Sequence, residues 1–430
     1  MIDATHDPAL RSWVDSAQSP GCDFPIQNLP FGVFRRAGSG HAFRGGVAIG
    51  DQILDLVLAS SAGVFGAQVE TTLAAARCDH LNGLMALGRP AWRALRAELQ
   101  RVLRAGAPEA ARLRECLVPQ AQAEHALPAR IGDYTDFFTS WHHMLNAGRI
   151  FNPEAPPLPN FRWLPIAYHG RASTVEVSGA TVRRPQGQSR APGAEVPAFA
   201  PTRRLDYELE LGVWVGPGNR RGEPIDIAVA GEHLFGLCLL NDWSARDVQA
   251  WESMPLGPFL AKNFLTSVSP WIVTFDALEP YRCALPRDAS DPPTLPHLQP
   301  PESAGRQGYD IQLQASLLTA AGGAREFVLS RSSFRHGYWS VAQMLAHHTE
   351  GGCAMRPGDL FGTGTQSGPG TGEQGCLLEL TRGGREPVTL DNGEQRSFLQ
   401  DGDTVVLRAW CEAPGRARIG LGECRGTVAP

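Results

Sequence analysis

The 430-residue chain carries 39 basic and 44 acidic side chains, a net charge of -5. That balance gives no electrostatic footprint for nucleic acid or an anionic membrane, and no apolar run approaches the roughly 18 residues of a membrane span. Its length predicts about two domains.

The N-terminus, MIDATHDPALRSW, lacks the basic and apolar regions of a secretory signal, so a cytoplasmic protein is expected. Its nine cysteines form no CxxC pair, and their odd number fits reduced thiols better than a disulfide framework.

Residues 1–118 read as a small domain of their own. FGVFRRAG, GGVAIG and QILDLVLA are strand-like runs broken by glycine, and RPAWRALRAELQRVLRAG carries a helical stripe of Trp92, Leu95, Leu99, Val102 and Leu103, with Pro90 suited to the first turn. Nothing here concentrates acids, histidines or a nucleophile. VPQAQAEHALPARIGDY is the expected junction.

The second domain, 119–430, opens with IGDYTDFFTSWHHMLNAG. A helix beginning near Asp136 would put His143 two turns later on the same face, with His142 about 100° away. The pair reads either as an acid and an imidazole facing one cleft or as a helix-start acid that complements the macrodipole beside a packed histidine.

Loop-rich segments follow, with His169 read as structural. In RLDYELEL the acids Asp206, Glu208 and Glu210 alternate with apolar residues, which predicts a strand with all three on one face. Such a face is either wet or shares a cation. LFGLCLLN reads as a buried strand delivering Asp242 to its end, where a carboxylate needs a partner or a metal. Ser244 and Asp247 suit a capping box, placing Arg246 and Gln249 on neighbouring helical positions beside Asp242.

Lys262 is the single lysine among the 39 basic residues. A compact ammonium retained where arginine serves elsewhere suggests a crowded site. Thr266, four residues on, can offer oxygen to a hard cation. Further along, a glycine-rich loop surrounds Thr365, and CLLEL predicts an apolar strand whose Glu379 would orient a histidine. GPGNRRG leads into PIDI rather than a helix, and neither GxxxxGK[ST] nor GxSxG occurs, which disfavours nucleotide binding and a serine hydrolase.

IGDYTDF, YHGRAS, LDYELEL, GPGNR, GEPI, NDWSARD, PLGPFLAK, RPGDL, DGD and RIGLGEC together resemble the fumarylacetoacetase family, in register over nearly the whole chain. The resemblance implies an α+β, mainly β protein, with a small SH3-like N-terminal barrel, a mixed β-roll catalytic domain and a homodimeric assembly. It implies hydrolysis of a carbon–carbon bond in a β-diketo acid, the last step of tyrosine and phenylalanine breakdown. The metal carboxylates would be Asp136, Glu208, Glu210 and Asp242, the base His143, its orienting partner Glu379, and the oxyanion-side groups Arg246, Gln249 and Lys262. Thr365 would touch substrate, and Lys262 with Thr266 would flank a second, magnesium-associated site. All-oxygen ligation selects calcium or magnesium over zinc or copper.

Three positions depart from the family's pattern: Phe138 and Ser253 replace tyrosines, and Asn152 replaces an arginine. They concern substrate recognition, and Arg149 is the nearby cation that would compensate. The alternatives are a hydrolase of a related 3,5-dioxo acid or acylpyruvate, a non-hydrolytic decarboxylase or isomerase of the same superfamily, and a cation-binding protein without activity.

Overall fold

The computed structural model describes residues 2–154 and 156–430. Near the N-terminus an antiparallel five-stranded sheet runs in the order Leu117–Pro119, Gln52–Asp55, Arg44–Ile49, Phe31–Arg36, Ala123–Ala126. The predicted run QILDLVLA splits at Asp55. Its carboxylate accepts from the backbone of Val57 and Leu58, and so turns the chain from strand into the helix Leu56–Ser61. The predicted stripe forms the helix Arg89–Leu103, with its five apolar residues buried and Pro90 in the first turn. The sheet does not stop at residue 118: Ala123–Ala126 returns to pair with Phe31–Arg36, so the segment expected as a junction is partly a fifth strand.

The rest of the chain builds two larger sheets. One runs Ile166–His169, Tyr134–Phe138, Leu360–Gly362, Leu209–Val215, Leu234–Asp242, Thr266–Val268, Val175–Val177, with Val273–Thr274 paired alongside Leu234–Asp242. Its pairing is mixed, because Leu360–Gly362 lies parallel to Tyr134–Phe138 and Thr266–Val268 parallel to Val175–Val177. The other runs Glu326–Ser333, Gln312–Leu318, Thr404–Cys411, Ile419–Val428, Ala180–Val182.

Alternation along the central strands assigns the two faces. Leu209, Leu211, Val213, Leu237 and Leu239 join Leu313, Leu317, Val405 and Leu407 of the second sheet in one apolar core. On the opposite face Trp214, Cys238 and Leu240 pack into the core of the N-terminal unit. Glu210 and Asp242 belong to this second face, one strand period beyond Gly212 and Leu240. A cavity at that end is lined by residues from 136 onward, with none from the N-terminal unit. No helix among the described residues is long and apolar enough to cross a membrane.

Candidate active site

A cavity of about 660 Å³ opens at that end of the sheet, lined among others by Asp136, Phe138, His143, Glu208, Arg246, Gln249, Ser253, Lys262 and Thr365. Asp136 lies in the strand Tyr134–Phe138, not at a helix start as the spacing suggested. The aromatic and β-branched run YTDFF favours extended chain, and the helix begins only after Ser140, whose hydroxyl caps it by accepting from the His143 backbone. Asp136 and His143 nonetheless line the same cavity, because that strand end leads directly into the helix.

The carboxylates of Asp136, Glu208, Glu210 and Asp242 are all buried, and one oxygen from each lies within 4.8 Å of the others. Glycine lets them approach. Gly362 stands between the strands of Asp136 and Glu210, and a Cβ there would sit 2.5 Å from Asp136 Oδ1 and 3.0 Å from Glu210 Oε2. Gly364, at φ +72°, donates its N–H to Glu210 Oε2 at 2.9 Å. Neither glycine stood out in the sequence, although both lie in its glycine-rich stretch.

Asp206 does not join the four, contrary to the expectation of three acids on one face. The strand breaks after Asp206, which accepts from the backbone of Leu377 and Leu378 at 2.8 and 2.9 Å and from Arg246 Nε at 2.9 Å. These bonds also account for Glu379: with Asp206 capping its N–H groups, the predicted strand becomes a short helix, Leu377–Leu380. The capping box expected from Ser244 and Asp247 does not form either. Ser244 donates to the Asp242 carbonyl, and Asp247 accepts from the Thr202 hydroxyl and the Arg203 N–H.

Two buried cations face the acids. Lys262 Nζ donates to Glu208 and, at 2.5 Å, to Asp242 Oδ2, which also accepts from the Tyr168 hydroxyl at 3.0 Å. Thr266 donates to Asp242 Oδ1 at 3.2 Å. Arg246 Nη1 donates to Glu208 Oε1 at 2.7 Å and to Gln249 Oε1 at 3.1 Å. Burial pushes the carboxyls of Asp136, Glu210 and Asp242 up, and the neighbouring carboxylates add to it. Burial acts the same way on Glu208, but Lys262 and Arg246 outweigh it and hold that carboxyl low.

The remaining polar atoms of the cluster suit a cation. Asp136 Oδ1 and Glu210 Oε1 are buried with no protein donor. An all-oxygen set of four acids with two open lone-pair sites fits a hard divalent ion. Arg246 Nη2 and Thr365 Oγ1 are likewise buried without a partner, and both residues line the cavity.

Beside this cluster His143 Nδ1 lies 2.8 Å from Glu379 Oε1. A carboxylate can only accept, so Nδ1 carries the hydrogen and Nε2 is left as the basic nitrogen. Phe138 meets the imidazole edge-on with ring centroids 5.2 Å apart.

The substrate-reading positions divide. Phe138, Ser253 and Thr365 line the cavity, with the Ser253 hydroxyl committed to the Gln249 carbonyl at 2.6 Å. Arg149, in the last turn of the helix, and Asn152, its C-cap, are exposed and are not among the described residues that line the cavity. Six positions beyond His143 on a helix is about 240° of rotation, which turns Arg149 away from the face His143 presents.

Four buried carboxylates, next to an imidazole whose Nδ1 faces a carboxylate, form a donor set able to hold a divalent cation beside a basic nitrogen. The chain belongs to the fumarylacetoacetate hydrolase family: residues 135–429 match the fumarylacetoacetate (FAA) hydrolase C-terminal model and residues 27–128 the fumarylacetoacetase N-terminal model. It is 48% identical to fumarylacetoacetase of Oryza sativa subsp. japonica, covering 100% of this chain and 99% of the relative. It is 45% identical to the Homo sapiens fumarylacetoacetase, covering 95% and 96%. The solved fumarylacetoacetate hydrolase from Exiguobacterium antarcticum shares the fold, with TM-score 0.50 at 15% identity, covering 93% of this chain and 99% of that one.

Proposed function

We propose that this protein hydrolyses 4-fumarylacetoacetate to fumarate and acetoacetate, as in the final step of tyrosine and phenylalanine breakdown. The observation that carries the reading is that one cavity is lined both by His143, the partner of Glu379, and by Asp136 and Glu208 of the four-carboxylate cluster.

His143 Nε2 accepts a proton from water, whose oxygen bonds to the carbonyl carbon of the diketone. Glu379 stabilises the imidazolium that results, a general-base arrangement typically contributing about 100- to 10,000-fold. Arg246 and Lys262 face the developing oxyanion, with Gln249 fixing Arg246; one lost donor of this kind commonly costs about 3 kcal/mol. The carbon–carbon bond then breaks, its electron pair leaves with the acetoacetate fragment as an enolate, and the proton held by His143 returns to that fragment. Asp136, Glu208, Glu210 and Asp242 would hold a divalent cation, calcium or magnesium, which supplies polarisation of the diketone oxygens. Lys262 and Thr266 flank Asp242, where a magnesium-associated site would lie.

On the apolar side, Phe138, Ile166 and Leu256 line the cavity. Phe138 and Ser253, where the family pattern has tyrosines, leave this wall with fewer donors, which keeps a related 3,5-dioxo acid as the second substrate reading. For the whole chain we infer an SH3-like N-terminal unit whose sheet ends with Ala123–Ala126, a catalytic β-roll over the remainder, a homodimer and a cytoplasmic location. The test is turnover of fumarylacetoacetate by purified protein with and without chelator. Fumarate and acetoacetate as products support the proposal, whereas an isomer or carbon dioxide would replace hydrolysis by isomerisation or decarboxylation.

A further inference from the structure

We propose that Ser367 is a positioning residue for His143, acting through Glu379 to hold the imidazole in the one tautomer that can accept a proton from water. This rests on the reading of His143 as the base.

Ser367 is buried, and its Oγ lies 2.5 Å from Glu379 Oε1 and 2.7 Å from Oε2. The buried N–H of Gly375 donates to the same Oγ at 3.0 Å. These contacts leave one direction for every hydrogen. An amide N–H can only donate and a carboxylate can only accept, so the single hydroxyl hydrogen must point at Glu379. The chain therefore runs from Gly375 N–H to Ser367 Oγ, from Ser367 O–H to the Glu379 carboxylate, and from His143 Nδ1–H to the same carboxylate at 2.8 Å.

The Glu379 side chain has no exposure to solvent, and among the described residues its donor besides His143 and Ser367 is a long contact from Asn146 Nδ2 at 3.4 Å. Without Ser367 the carboxylate is free to rotate, and the Gly375 N–H loses its acceptor. The backbone of Ser367 is also clasped to the catalytic helix. Ser140 Oγ, which caps that helix, donates to the Ser367 carbonyl at 3.1 Å, and the Ser367 N–H lies 3.4 Å from it. The backbone of Ser367 thus meets the residue that caps the helix, while its hydroxyl meets the carboxylate that faces the helix's histidine.

The experiment compares parent, Ser367→Ala and Ser367→Thr in the metal-loaded full chain, reading kcat and KM on fumarylacetoacetate and the His143 tautomer by nitrogen-15 NMR. Alanine should lower kcat about tenfold or more with KM within about twofold, and replace the single Nδ1–H signal by a mixture of tautomers; threonine, which keeps the hydroxyl, should restore both. Should the alanine variant not fold, Ser367→Cys, near in shape but a weaker donor, provides the same readings. An unchanged tautomer and kcat in the alanine or cysteine variant would overturn the role of Ser367 while leaving His143 as base. Full turnover by His143→Gln would instead remove the base reading, while the tautomer of His143 in the parent and the Ser367 variants still reports on Ser367.

Discussion

Replacing Lys262 with methionine keeps the aliphatic stem and removes the ammonium that joins Glu208 to Asp242. All three side chains are buried. Two unit charges about 4 Å apart attract by about 4 kcal/mol at an effective dielectric of 20, and truncating one member of a buried pair costs about 3 to 5 kcal/mol. We therefore expect the variant, in chelator near neutral pH, to lose about that much unfolding free energy. The loss carries a pH signature. Asp136, Glu210 and Asp242 have carboxyls raised above their ordinary range, so the folded state binds protons the unfolded chain does not. Their contribution to stability falls as pH rises through the folded values and is regained as pH drops toward the unfolded carboxylate range near 4. Glu208 is held low by Lys262 and Arg246 against burial, so its contribution is present above the unfolded value and lost only as pH falls below it. Without Lys262, Asp242 rises further and Glu208 loses a chief counterion. Acidification to about pH 5.5 should then narrow the gap between variant and parent. Urea unfolding followed by tryptophan fluorescence at both pH values measures this. A deficit below about 1 kcal/mol at neutral pH, or one that widens on acidification, would refute the charge-compensation argument.

His143→Gln should lower kcat about 100- to 10,000-fold with little change in KM, measured by loss of diketone absorbance. Exhaustive chelation should abolish activity and lower the melting temperature, since an ion bound only by the folded state stabilises it by mass action, and re-addition of magnesium or calcium should restore both. Gly362→Ala, whose Cβ would meet Asp136 Oδ1 at 2.5 Å, should weaken divalent-ion affinity about tenfold or more in calorimetric titration. Arg149→Ala should leave kcat/KM for fumarylacetoacetate within about twofold of the parent, because that side chain is exposed outside the described cavity lining; a larger fall would mean that Arg149 reaches the substrate after all.

The local grammar of the chain was largely readable. Period-two and helical patterns marked the strand with Glu210, the strand ending in Asp242 and the buried face of Arg89–Leu103, since side-chain direction follows from the backbone repeat alone. Composition singled out Lys262, which lies buried between Glu208 and Asp242. The same patterns could not separate Asp206 from Glu208 and Glu210. That distinction depends on a break in the strand and on the N–H groups of Leu377 and Leu378, more than 160 residues away, which take Asp206 as their cap. Nor did periodicity place Asp136 in a strand: the composition of YTDFF favours one locally, and pairing with Ile166–His169 and Leu360–Gly362 fixes it. Periodicity reports which way a side chain points from its own element. Which elements stand side by side, and so which carboxylates share a cation, which hydroxyl holds Glu379 and which arginine faces solvent, was decided only when long-range strand pairing closed the sheet.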